Sequence, residues 1–162
     1  MVGVVPNAAY RHFADRDELL AAVRDAALRQ LAQRMADGMN QVGPGADTPA
    51  GAGLRLRAVG EAYLDFARTE PGLFDTAYTA TEHPTGGAND ERWPFDHLQA
   101  ALDGLVQAGL LEPGRRVEVE YPTWATVHGL AMLLRGPLRS LSDREQAQLQ
   151  EQTLAFIGAA LS

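Results

Sequence analysis

Gly3-Val4-Val5-Pro6-Asn7-Ala8-Ala9-Tyr10-Arg11-His12-Phe13-Ala14-Asp15-Arg16-Asp17-Glu18-Leu19-Leu20 is the stretch from which the rest of the chain is read. A Gly turn leads into a short helix; a break follows, and then a long helix. Asp15 followed by Glu18 is the acidic variant of a capping box, in which the side chain at the cap accepts a backbone N–H that is otherwise orphaned. Val4, Ala9 and Phe13 can face a small core, while Tyr10, Arg11, His12 and Arg16 can each donate a hydrogen bond to a phosphate oxygen. Beyond this stretch apolar residues recur at Leu20, Val23, Ala27, Leu31 and Met35, spaced by three and four, and Gly38 is the expected stop.

The same spacing continues downstream of a Gly/Pro-rich loop at 43–49. A helix is expected from about Ala52 to Arg68, with Leu56, Val59, Tyr63 and Phe66 on one face and Leu54, Ala58 and Ala62 on another, so that much of it is buried. Pro71 opens a short helix carrying Leu73, Phe74, Ala77 and Tyr78. His83 to Asn89 is a second loop, expected to be the most mobile segment. A third long helix starts near Asp90, with Phe95, Leu98, Leu102, Leu105 and Gly109 as its stripe and Glu112-Pro113-Gly114 as its end. Val117 to Tyr121 alternates like a strand but has no second strand to pair with. Around Pro122 to Leu134, Trp124, Val127, Ala131 and Leu134 form a stripe, while Ala125, Gly129, Leu130, Met132 and Leu133 cover the other sides. A helix apolar all round is buried all round, and in a chain this short part of that cover is expected from a partner subunit. Ser142-Asp143-Arg144-Glu145 is a full capping box opening a last helix, whose stripe is Ala147, Leu154, Ile157 and Leu161. The fold class is therefore all-α.

Composition narrows the chemistry. The 162 residues contain no Cys and no Lys, which removes zinc–thiolate sites, thiol nucleophiles, Schiff-base lysines and the phosphate-loop Lys. His12, His83, His97 and His128 are scattered without metal-ligand spacing, and no Ser sits in a nucleophile elbow. Neither catalysis nor a metal or cofactor is expected. No apolar run approaches the ~20 residues of a membrane span, and the N-terminus lacks the features of a signal peptide, so a cytoplasmic location without a membrane partner is expected. The net charge of −7 argues against a chain that binds nucleic acid along its whole surface. The charge is uneven, however: residues 1–37 carry five Arg and five acids, and residues 38–162 carry the whole excess. A DNA contact confined to the N-terminal end is compatible with that distribution.

Tyr10-Arg11-His12-Phe13, followed by Arg16 and Leu19-Leu20, resembles the end of the helix-turn-helix in the TetR family of bacterial regulators. There a Gly-Val turn, a short recognition helix, Tyr-x-His-Phe and a basic residue follow one another. Trp124-Ala125-Thr126-Val127-His128-Gly129-Leu130 resembles the Trp/His/Gly signature of one class of TetR-type C-terminal domains, in which a segment like Tyr63 to Phe74, broken at Glu70-Pro71-Gly72, is also expected. The resemblance implies residues 1–37 as the remnant of a helix-turn-helix DNA-binding domain plus connecting helix, and residues 38–162 as a helical effector-binding and dimerisation domain. In that family two further helices precede the recognition helix, so the natural protein is expected to begin upstream of Met1. The alternative is a ligand-binding and dimerisation module without DNA activity.

The resemblance implies a repressor that binds operator DNA as a homodimer and is released by a small apolar or aromatic effector. It assigns DNA contact to Pro6, Asn7, Tyr10, Arg11, His12 and Arg16, with Asn7 a possible base reader because Asn can bond adenine through two hydrogen bonds. It assigns an effector pocket to Tyr63, Phe66, Phe74, Tyr78, Trp93, Phe95, Trp124 and His128, although aromatics at helical spacing are more often plain core. His128 suits either a pocket or an interface beside Gly129, and Met132 either core or interface. The expected dimer interface is Gly129, Met132, Leu133, Leu154, Ile157 and Leu161.

Overall fold

A computed structural model of the chain describes residues 15–43, 45, 48–78 and 93–161. The loop expected at His83 to Asn89 lies outside the described residues, as do Pro6, Asn7, Tyr10, Arg11 and His12. Six α-helices account for most of the described residues: α1 (Arg16–Asn40), α2 (Pro49–Thr69), α3 (Pro71–Tyr78), α4 (Pro94–Gln107), α5 (Glu120–Arg135) and α6 (Asp143–Leu161). No strand occurs among the described residues, in line with the all-α reading.

Local chemistry sets most helix ends. The Asp15 carboxylate accepts the Glu18 N–H at 2.8 Å and starts α1, which runs two residues past Gly38. Thr48 caps α2, its hydroxyl accepting the Gly51 N–H at 3.1 Å, and Pro49 occupies the first helical position. The helix thus starts three residues before Ala52, because Thr-Pro at a loop's edge is also a helix start. At α6 the Ser142 backbone N–H donates to the Glu145 carboxylate at 2.8 Å, completing the expected box.

Two expectations fail for identifiable reasons. Gly109 is not on the α4 stripe: with φ at +72° it reverses the chain, and its N–H bonds to the Val106 carbonyl at 3.0 Å while the Leu110 N–H reaches Leu105 at 2.9 Å. This pair of bonds is the glycine-terminated Schellman ending. Val117 to Tyr121 is not extended: Val117 is exposed in a turn, and Glu120 and Tyr121 form the first turn of α5. Arg116 explains that start. It bonds to Asp103 at 2.5 Å, to the Gln99 carbonyl at 3.0 Å and to Glu120 at 2.7 Å, tying α4 to the beginning of α5 and satisfying a buried carboxylate.

Helix α2 is central and touches all five others. Leu56, Val59, Tyr63 and Phe66 are buried as their spacing predicts, but Leu54 is 54% exposed, so the second face of α2 is only partly covered. Around α2 gather Leu31 and Met35 from α1, Phe74 from α3, Leu98 and Leu102 from α4, Val127 and Leu130 from α5, and Leu154 and Ile157 from α6. Arg34 fastens α1 to the break between α2 and α3. It donates to the Thr69 hydroxyl at 2.8 Å and to the Glu70 carboxylate at 2.8 Å, and its guanidinium lies 5.2 Å from the centre of the Phe66 ring. A cation at the C-terminal end of α2 also meets the negative end of that helix's dipole.

Candidate functional site

The site grows from one residue of α2. Tyr63 lies a helical turn before Phe66, on the face of α2 turned toward α3 and α5. Its ring meets Phe74 at 5.6 Å, Tyr78 at 6.1 Å and Trp124 at 5.6 Å between centres, the first and last edge to face. Such edge-to-face arrangements are the favoured ones for aromatic pairs. The Tyr63 hydroxyl and His128 Nδ1 are 2.7 Å apart. Phe74 and Tyr78 stand one turn apart on α3, and Trp124 and His128 one turn apart on α5, so two short helical repeats close on one tyrosine. Tyr78 lies 4.9 Å from both Phe74 and His128. Phe95 of α4 extends the set through Trp124 at 5.1 Å and continues to Tyr121.

Six of the eight residues expected to form a pocket are thereby brought together: Tyr63, Phe74, Tyr78, Phe95, Trp124 and His128. Phe66 and Trp93 are not part of this ring network among the described residues. Phe66 is fully buried under Arg34 on the α1 side of α2, and Trp93 packs with Tyr78 against Ala27, Leu28 and Ala77. Both belong to the seam with α1.

Tyr63 and Trp124 also form one wall of a cavity of about 70 Å³ that runs from them toward α6. Met35 of α1, Leu56 and Val59 of α2, Leu98 of α4 and Val127 of α5 line it, and Leu154 and Ile157 of α6 close it. Gly60 lets α6 come near: a Cβ built there stands 2.5 Å from the Leu154 side-chain tip. The polar groups of the lining are few. Thr123 is buried, and Arg57 at the rim is bonded to Glu61 at 2.8 Å and to Glu151. The sequence marked Leu56, Val59, Leu98 and Val127 only as core positions. The signal that was available for the cavity is Gly60, a glycine in the middle of an otherwise buried helical face.

Electrostatically the aromatic end is neutral. Burial lowers the His128 pKa below its ordinary value, favouring the uncharged ring. Burial likewise raises both phenols, of Tyr63 and of Tyr78, so each keeps its proton at neutral pH. The Tyr78 hydroxyl is buried beside the Tyr63 phenol, and each shifts the other's pKa.

A second space, of about 360 Å³, lies between α2, α5 and α6, with Leu64, Ala67, Ala131 and Leu134 among its lining. Arg68 and Arg135 at its edge are already held by Asp65 and Asp75, and Arg135 also donates to the Ala67 carbonyl at 3.1 Å. Among the described residues no group of His, Asp and Glu is arranged to hold a metal ion, and no helix is long and apolar enough to cross a membrane.

Arg16, of the residues assigned to DNA contact, is described: it is exposed in the first turn of α1. Of those assigned to a dimer interface, Met132 and Leu133 are 48% and 46% exposed on α5, and Gly129 is half-buried. Leu154, Ile157 and Leu161 are buried within the protomer, where they close the core, and the large apolar side chain that α6 exposes is Phe156. The stripe of α6 faces α2 and α5, so these three leucine and isoleucine side chains are not available on its outer surface.

Comparison with known proteins adds one finding. The chain matches no curated protein and no solved structure at a significant level. Residues 56–157, well over half of the chain, match the model of the tetracyclin repressor-like, C-terminal domain. That span runs from the cavity-lining Leu56 of α2 to the cavity-closing Ile157 of α6, and the chain belongs to this family of TetR-type regulator domains.

Proposed function

We propose that this protein is a TetR-type transcriptional repressor that works as a homodimer and leaves its operator when a small apolar or aromatic molecule enters the cavity between α2, α4, α5 and α6. The observation that carries the reading is Met35. This residue belongs to α1, the helix that leads from the N-terminal end, yet it forms part of the cavity wall together with Tyr63 and Trp124. A molecule in the cavity therefore presses on α1 directly.

Size makes that pressure unavoidable. The engineered protein cavity known to take benzene has a volume of about 150 Å³, larger than the about 70 Å³ present here. An effector has to widen the space, so it binds better to a conformation in which α1 or α6 has moved outward. That differential affinity is what a ligand-driven population shift requires. In this reading Pro6, Asn7, Tyr10, Arg11, His12 and Arg16 touch DNA. A changed tilt of α1 then alters the spacing of two such ends across a dimer, which successive major grooves do not tolerate. Gly129, Met132 and Leu133 supply the α5 side of the dimer contact, with Phe156 on α6.

The test is DNA retention by the protein expressed from its natural gene. Genomic fragments it retains are labelled, and their binding is followed by anisotropy while small aromatics are added. Entry into the cavity is followed by Trp124 fluorescence in a Trp93→Phe background. The expected result is loss of DNA binding that tracks cavity occupancy. DNA affinity that stays flat while the cavity fills removes the switch, and failure to retain any DNA leaves a binding module without operator activity.

A further inference from the structure

A molecule that occupies the cavity has to pass one of its walls. The lining residues are buried except for Gly53, Arg57, Trp124 and Gly158. Trp124 is wedged among rings, with Tyr63 at 5.6 Å and Phe95 at 5.1 Å. The other three belong to α2 and α6 and mark the seam between those helices. Gly53 and Gly158 leave the seam bare: a Cβ built on either meets no atom within 4 Å among the described residues. Helix α6 is also lightly seated, its buried side chains being Leu154, Ile157 and Leu161.

One side chain bridges this seam. The Arg57 guanidinium donates its Nε–H to Glu61, one turn ahead on α2, at 2.8 Å. Its two terminal nitrogens both donate to the Glu151 carboxylate of α6, one of them at 3.0 Å. A two-pronged guanidinium–carboxylate bond fixes geometry as well as joining charges. The bond to Glu151 raises the Arg57 pKa, and the same bond lowers that of Glu151, so both groups are charged at neutral pH.

From this we propose that small molecules reach the cavity between α2 and α6, and that the Arg57–Glu151 pair is the latch that holds this entrance shut. The proposal rests on the cavity being the effector site and adds how that site is opened. Arg57 stands in the cavity lining, whereas Glu151 does not, so Glu151 governs entry without touching what enters. The latch is weak enough to part: the Glu151 side chain is 60% exposed, and water replaces the guanidinium when the two separate. Once they separate, α6 can move off Gly60 and widen the space next to Leu154.

Toluene is the probe. Its dissociation constant and association rate are measured by stopped-flow Trp124 fluorescence in the Trp93→Phe background. Glu151→Gln is expected to speed association by about two- to fivefold. Arg57→Gln together with Glu151→Gln is expected to be no faster than the quicker of the two single variants, because one bond is lost in each case. Glu61→Gln removes a carboxylate from the same guanidinium but leaves the bridge to α6, and is expected to leave the rate unchanged. An association rate that Glu151→Gln leaves unaltered, or that Glu61→Gln raises equally, overturns the latch while the cavity reading stands. Toluene that does not bind the parent chain overturns both.

A staple tests the entrance itself. The chain has no Cys, so Arg57→Cys with Glu151→Cys places two thiols that a reducible dithiol-specific cross-linker joins without competition. Toluene exchange is expected to be lost on cross-linking and to return on reduction. Exchange that continues at the uncross-linked rate places the entrance elsewhere and overturns the proposal.

Discussion

Helices α2 and α6 are of similar length, 21 and 19 residues, yet α2 buries nine side chains or backbone positions and α6 only three. Helix α2 finds its cover within the chain, from all five other helices. Helix α6 rests on α2 and α5 through Leu154, Ile157 and Leu161 and leaves Phe156 65% exposed. The lesson is that the two helices answer to different parts of the free energy. Burial along α2 decides whether the protomer folds. The outer face of α6, with Met132 and Leu133 of α5, is apolar surface that the fold itself leaves open. The cavity lies between the two helices, where a fixed element meets a lightly held one.

The sharpest way to test the α2 half of this comparison is Phe66→Ala. Phe66 is fully buried between the centre of the core and the Arg34 guanidinium. Its loss removes a large transfer free energy, leaves a void and unseats a cation, so a cost of about 3–5 kcal/mol is expected. Chemical denaturation followed by circular dichroism measures it. A cost below about 1 kcal/mol means that α2 is not the element on which the fold depends.

The α6 half is tested by Leu133→Asp combined with Phe156→Asp. Both side chains are exposed in the protomer, so its own stability should change by less than about 1 kcal/mol. If this surface joins two copies, burying two unpaired carboxylates weakens their association by about a hundredfold or more. Analytical ultracentrifugation of the parent chain and the variant reads the difference. Identical sedimentation of the two places any dimer contact elsewhere on the molecule.

Gly60→Ala probes the boundary between the two helices. A methyl group there meets the tip of Leu154, which is a flexible group beside open space rather than backbone. The strain is relieved if Leu154 rotates into the cavity, and the gain in helix propensity from Gly to Ala is about 1 kcal/mol. Protomer stability should therefore stay within about 1 kcal/mol of the parent. The cavity shrinks, and toluene affinity is expected to fall severalfold. Unchanged toluene affinity indicates that α6 moves away as a body, which makes it even more loosely held than the comparison supposes.

The sequence exposed the α2 side of this contrast far better than the α6 side. The three-four spacing of Leu56, Val59, Tyr63 and Phe66 is a direct imprint of a helix covered on one face, and the caps at Asp15 and Ser142 are chemical signals local to a few residues. The aromatic set was legible because Tyr63, Phe74, Tyr78, Trp124 and His128 sit at helical spacing within recognisable segments. Periodicity says that a face is covered but not by what. Spacing alone put Leu154, Ile157 and Leu161 on a dimer face and Phe66 in a pocket; the fold shows the first three packed in the chain's own core and Phe66 beneath Arg34 of α1. Gly109 illustrates the same gap at the scale of one residue: its place on the stripe and its role as a chain reversal differ only in φ, which spacing does not encode.

The smallest expected effect concerns His128, which reports whether the aromatic end behaves as the interior of a core or as a surface. Burial depresses its pKa in the folded chain, so below the unfolded value of about 6.5 the unfolded state takes up the proton first. Stability is therefore fully present above about pH 7 and falls as the pH drops through 6.5 toward the depressed folded value. His97, also lowered by burial, contributes a slope of the same sign. His128→Gln is expected to make the fall of Tm between pH 7 and pH 5 shallower without abolishing it, the remainder belonging to His97 and to the carboxylates that begin to protonate near pH 5. An unaltered slope means that His128 takes a proton as easily in the folded chain as in the unfolded one. The Tyr63–His128 contact would then lie in a wet medium, and the end of the cavity would resemble the exposed flank of α6 more than the dry flank of α2.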